Sequence, residues 1–321
     1  MTVVATTPTV SARRSTPRGA KFDPIFSALC FGAATMLLAA LGGVVVSLII
    51  GSTPAFKKFG FAFFTTVRWN PVTEVYGAAG PIVGTLVTAA VSLVFALPVA
   101  FGVAVFLTEF CPRHLRRPIG IAVELLAGVP SIVYGMWGLF VLAPLFAKYV
   151  QLPLILAVPP GSIWEKLIDG VPNGANIITA SIILSIMILP YMAATLRDLF
   201  LTVPAKVRES AYGIGATPLE VVWSVTLPYV RRSDIGAVML GLGRALGETM
   251  AVTFIIGNSH NFPKSLFDSG STIASTIANE FAEASTEMHT ASLVALGLVL
   301  FILTFAILAI ARALIGQAQK V

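Results

Sequence analysis

The sequence predicts an all-α, polytopic membrane protein with six transmembrane helices. Three observations carry that reading. Of the 321 residues, 56% are hydrophobic and only 11% charged, whereas an ordinary soluble domain carries about 25% charged residues. Apolar runs long enough to cross a bilayer occupy 25–50, 82–107, 119–146, 177–195, 235–257 and 291–314. Lys and Arg divide unevenly between the segments that join them: fourteen fall in the two tails and two alternate loops, six in the other three loops. The excess of positive charge on one side places both termini and those two loops in the cytoplasm.

Each element follows in order. Residues 1–24 are rich in Thr, Ser and Pro, carry Arg13, Arg14, Arg18 and Lys21, and are expected to form a disordered basic cytoplasmic tail; the transmembrane body is 25–321. The first apolar run is too long for a signal-peptide core and is read as an uncleaved span. Residues 51–80 hold Phe56, Phe59, Phe61, Phe63, Phe64 and Trp69, rings suited to the headgroup level. After the second span comes a short basic turn, CPRHLRRP. The third region is broken by Gly128, Pro130, Gly135 and Gly138. Breakers at membrane depth are tolerated only against protein or a water-lined path, so this span is expected to line the route. Residues 148–172 and 258–288 are expected outside, with Asp268, Glu280, Glu283 and Glu287 as a solvated face or a docking patch.

Composition also excludes. No G-x-x-x-x-G-K-[ST] occurs and no long polar block could house an ATPase, so any ATP and Mg are expected on a partner chain and none in this one. The basic residues are scattered among apolar spans, which argues against nucleic acid. Cys30 and Cys111 imply neither disulfide nor metal, and His114, His260 and His289 are too far apart in sequence to read as a ligand cluster. No catalytic constellation is expected, so the chain does not read as an enzyme.

The sharpest chemical feature is GLGRALGETMAV, 241–252, in the fifth apolar run. Arg244 and Glu248 are four apart, so on one helix they would share a face. Charges at membrane depth cost several kcal/mol unless paired or wetted, so the pair marks an aqueous path, a partner interface, or a structural ion pair. Arg suits an oxyanion, since its planar guanidinium offers a fork of donors and never loses its charge. Glu248 would hold Arg244 or accept a hydrogen bond from a protonated phosphate. Glu124, before the AGVPS break, is expected either on the route or paired with Arg116 or Arg117. Glu109 is expected as a solvated or paired span end.

The polar stretch of 197–233 is the clearest motif. Pro204 marks a helix start, and 209–214 would form a short amphipathic helix. Gly213, Gly215 and Pro218 break it, and a second short helix is expected to end before Pro228. Glu209, Ser210, Ala211, then Gly215, then Val225, Leu227 and Pro228 keep the spacing of the EAA loop of ATP-binding-cassette importer permeases, which this block resembles, with Ser for the second residue and Val for Ile. With WNP…YGAAGPIVGTL (69–86), ELLAGVPSIVYGMWGLF (124–140) and GLGRALGETMAVTFIIGN (241–258), the chain from about residue 25 onward is similar to phosphate-specific transport permeases of the PstC type. That resemblance implies a type I ABC importer permease fold in the cytoplasmic (inner) membrane, import of inorganic phosphate by alternating access, and an ATPase-docking role for the EAA-like loop. It also implies a PstA-type permease partner, an ATPase subunit dimer holding ATP and Mg, and a phosphate-binding protein. A permease for sulfate, molybdate or phosphonate would keep the same loop. A secondary transporter would need no ATPase; no convincing internal repeat supports it.

Overall fold

The computed structural model describes residues 23–159, 161–162 and 164–317; the expected basic tail lies almost wholly outside them. Among the described residues the regular structure is helical, joined by loops and turns, and the one β feature is an isolated antiparallel bridge, Asn70–Val75. Helix α1 runs Asp23–Phe59. Its part up to Ser47 is a unit by itself, a helix apolar on all sides, as a lipid-bathed segment is. Residues from Leu48 onward make the second unit.

In that unit α2 spans Ala79–Phe110, its last turn widened into a π turn at Phe106–Phe110. Helix α3 is Arg113–Ala127, α4 is Ser131–Ala157 and α5 is Ile177–Leu201. Helix α6 is Ala205–Gly213, and α7 occupies 218–246, with a π turn at Val222–Thr226. The short α8 (Met250–Ile255), α9 (Ile273–Glu280) and α10 (Glu287–Gln317) follow, and two single-turn helices, Ala62–Thr65 and Glu165–Ile168, lie in the connecting segments.

Five helices among the described residues are long and apolar enough to cross a membrane, and a shorter apolar helix, Ile235–Leu246, lies in the remaining expected span, so the expected six agree approximately. Three details are corrected. The expected fifth span is a helix broken in two, α7 and α8, because Gly247 and Thr249 interrupt it. The third apolar region is also two elements. Pro130 cannot continue the helix behind it, so amphipathic α3 ends at Ala127 and the spanning α4 extends eleven residues past the expected boundary, to Ala157. Lastly, the second loop helix does not end before Pro228. The π turn just ahead absorbs the missing N–H donor, and the chain continues into α7.

Lipid is as apolar as Leu, so packing rather than water exclusion holds such helices together. Ala96, Ala100 and Ala104 recur every fourth residue on α2 and are buried. They allow α5 to come close with Ile183, Leu184, Met187, Ile188, Met192 and Phe200, all buried in the same core. Gly135 and Gly138 of α4 sit against Ala251, Ile255 and Ile183. These two breakers therefore face protein. Buried hydroxyls bond back to their own helix, as Thr108 to the Ala104 carbonyl at 3.0 Å. Thr85 donates likewise to the Pro81 carbonyl at 2.7 Å and also accepts the Ile273 amide at 2.9 Å, tying α2 to the start of α9.

Two of the four acids expected on a solvated face, Asp268 and Glu280, are instead bonded within the protein, while Glu283 and Glu287 are exposed. Asp268 accepts the amides of Lys264 and Ser265 at 2.9 and 3.2 Å. Glu280 accepts from the Trp69 indole and bonds His260 and His289, both at 2.8 Å. Two histidines distant in sequence thus meet on one carboxylate, beside Tyr76 stacked on His289. Among the described residues no group of His, Cys, Asp and Glu is arranged to hold a metal. Burial pushes the Glu280 carboxyl up, but the hydrogen bonds from His260, Trp69 and His289 outweigh it and leave it below its ordinary 4.5. A carboxylate whose pKa folding lowers stabilises the fold fully above the ordinary value, and that contribution fades as pH falls through the lowered one. The melting temperature of wild type should therefore exceed that of Glu280→Gln at neutral pH, with the gap closing below pH 4.5. A gap that stays constant across this range would separate the cluster from the acid response.

Candidate translocation site and coupling loop

Arg244 lies in the last turn of α7, where the helix dipole favours a cation. It is exposed on a cavity of about 700 Å³ formed by α5, α7 and α10, whose walls include Thr195, Gly236, Gly243 and a second arginine, Arg312. Gly236 and Gly243 carry no side chain into this space, which keeps it open. The guanidinium carbon of Arg244 stands 5.9 Å from the Tyr191 ring centroid, a cation–π distance. No carboxylate pairs with Arg244 among the described residues.

The shared helical face expected for Arg244 and Glu248 is not there. The helix ends at Leu246, and Glu248 falls in the break, where its carboxylate accepts the Ala251 amide at 3.3 Å. It caps α8, satisfying a backbone donor that the broken helix leaves orphaned. Glu124 pairs with neither Arg116 nor Arg117. Its partner is Arg197 of α5 at 2.6 Å, which also holds Asp198 at 2.7 Å. Arg197 reaches across because Gly120 of α3 leaves room: a Cβ there would stand 2.5 Å from its Nη1.

The polar stretch after α5 forms a knob. Pro204 starts α6 as expected, and Glu209, Ser210 and Gly215 are exposed, with Ala211 half-buried. Gly215 has φ +94° with nothing near its missing Cβ, and its amide reaches the Tyr212 carbonyl at 3.0 Å while the Ala216 amide reaches Ala211 at 3.1 Å. That closes α6 with the left-handed residue such ends require. Thr217 and Glu220 then open α7 with a reciprocal capping box. Two large apolar side chains crown the turn, Ile214 and Leu219, 89% and 56% exposed. Leu227 and Pro228 are elsewhere: both line an apolar groove with Leu97, Pro98 and Phe101 on the flank of α2.

The binding-protein-dependent transport system inner membrane component family matches residues 100–318, which include the knob, the broken helix and the Arg244 cavity. The chain belongs to this family. Within it, the chain is 55% identical over 306 residues to the phosphate transport system permease protein PstC of Mesorhizobium japonicum, covering 94% of this chain and 93% of that protein. The same-named protein of Pasteurella multocida is 51% identical over 280 residues, 87% of each. A bacterial ABC transporter involved in the import of the acidic polysaccharide alginate superposes with a TM-score of 0.59 at 16% identity, covering 92% of this chain and 96% of that one. The fold is that of a type I ABC importer permease.

In this PstC-type permease the knob is tied to α2 by a residue whose role the sequence did not disclose. Glu109, 3% exposed in its side chain, receives Arg208 of α6, and the Tyr212 hydroxyl donates to it at 2.7 Å. Burial and the neighbouring Glu109 push the Tyr212 phenol up to about 12, so it remains a donor at any working pH. Removing one partner of a buried pair leaves the other uncompensated, at a cost of about 3 kcal/mol. Glu109→Gln should therefore loosen α6 and speed tryptic cleavage at Lys206 and Arg208 about a hundredfold. Equal cleavage rates would mean that Glu109 does not hold the knob. Arg312 and Tyr191 were equally unheralded. A lone arginine near the end of an apolar run is the only sequence signal for the first, and none exists for the second.

Proposed function

We propose that this permease forms part of the translocation path of an ATP-driven importer for inorganic phosphate, working by alternating access. The observation that carries the proposal is Arg244, facing a cavity of about 700 Å³ beside Arg312 without a carboxylate partner among the described residues. An arginine left unpaired at membrane depth is costly unless water or an anion meets it, and its donor fork fits phosphate oxygens. The likeness to proteins named phosphate transport permeases supplies the substrate. Glu248 caps α8 and stands four residues from Arg244, where it offers an acceptor to a protonated phosphate, which sulfate cannot use. Glu124 acts through its hold on Arg197.

The remaining parts of the machine are other chains. A PstA-type permease faces this one across the path, and an ATPase dimer carrying ATP and Mg docks on the knob of Glu209, Ser210, Ala211 and Gly215. Ile214 and Leu219 add the apolar contact that such docking needs. A phosphate-binding protein delivers its cargo to the outer face, and both termini lie in the cytoplasm. Competition in reconstituted vesicles tests the substrate: arsenate should suppress labelled phosphate uptake and sulfate should not. Suppression by sulfate would assign the chain to another oxyanion.

A further inference from the structure

The basic turn after α2 belongs to a second cavity, separate from the one at Arg244. Arg113, Arg116 and Arg117 leave the first turns of α3 at helical spacing and meet Arg197 of α5 around a space of about 460 Å³. Four guanidinium groups face it against one carboxylate, Glu124, which Arg197 already occupies. Arg116 is held in place: its Nη2 donates to the Thr108 carbonyl at 2.7 Å, while its Nε is buried and finds no acceptor. A buried donor without a partner is expensive and asks for one. Arg113 and Arg117 make no hydrogen bond or ion pair among the described residues. So much unneutralised positive charge around one cavity, all of it arginine, is the arrangement that binds a tetrahedral oxyanion. The opening is flanked by apolar side chains of α3, Ile121 in its wall and Leu125 exposed beyond it.

We propose that this arginine cavity binds a phosphate group at the end of the bundle that carries the knob. The phosphate belongs either to an anionic lipid headgroup, whose acyl chains would lie along the apolar face of α3, or to a free phosphate ion. Basic pockets between membrane helices on the cytoplasmic side take headgroups for the first reason.

The test uses the fully assembled importer and compares it with Arg113→Gln/Arg117→Gln. Those two side chains have no partners to lose, so the substitution removes charge without removing packing. In one arm, nanodiscs of phosphatidylcholine with a minor fraction of phosphatidylglycerol are stripped, and the phosphatidylglycerol retained is counted by native mass spectrometry. In the other, binding of labelled inorganic phosphate is measured by equilibrium dialysis in lipid-free detergent, with Arg244→Gln present in both proteins so that the translocation cavity does not contribute. A loss of about tenfold in either arm supports the site and names the source. Undiminished binding of both probes overturns it. Because neither arm measures import, such a failure would leave the phosphate-import reading untouched.

Discussion

Arg244→Gln is expected to lower phosphate uptake about a hundredfold while the importer still assembles. The size follows from the chemistry. A charge-assisted bond to an anion contributes about 1.5–3 kcal/mol, and a bidentate guanidinium makes two, so losing about 3 kcal/mol of stabilisation along the path slows passage about a hundredfold. Assembly should survive because Arg244 is exposed on its cavity, pairs with no carboxylate among the described residues, and leaves only the Tyr191 contact unfilled. Arg244→Lys keeps the charge without the fork and should fall between the two. Normal uptake by Arg244→Gln at normal membrane abundance would remove this residue from the mechanism.

Gly215→Arg is expected to uncouple transport from ATP hydrolysis, with uptake lost and the stimulation of the ATPase by the binding protein lost with it. Two effects combine at this position and can be separated. At φ +94° any L side chain pays for the left-handed backbone, about 1–2 kcal/mol, and Gly215→Ala pays that alone. Only Arg adds bulk and charge where nothing lies within 4 Å of the missing Cβ, at the tip that Ile214 crowns. Retained uptake in the Ala variant with loss in the Arg variant would assign the effect to blocked docking. Equal loss in both would assign it to the turn itself, and full activity of the Arg variant would move the docking surface off this knob.

The spans were legible because an apolar run of bilayer length has few other uses, and the knob because Gly and Pro punctuate a polar stretch between two such runs. What sequence spacing missed was register and partnership. Arg244 and Glu248 sit four apart, but the intervening Gly247 stops the helix, so spacing that would join them on an unbroken α-helix leaves Glu248 capping α8. Pro228 read as a stop because its missing donor normally ends a helix; a π turn immediately before it removed that conflict. Glu124 with Arg197, Glu109 with Arg208, and Glu280 with His260 and His289 are pairings across 73, 99 and up to 20 residues of chain. Only packing decides such contacts, and a local reading assigns each acid to the nearest base or to solvent.

The central claim, that this permease moves phosphate under ATP control, is tested most directly by uptake into proteoliposomes holding the chain with its co-purified partners. Labelled phosphate should accumulate only when ATP is supplied on the side of the ATPase and the binding protein on the other. Accumulation that is indifferent to ATP would contradict the account and make the chain a secondary transporter.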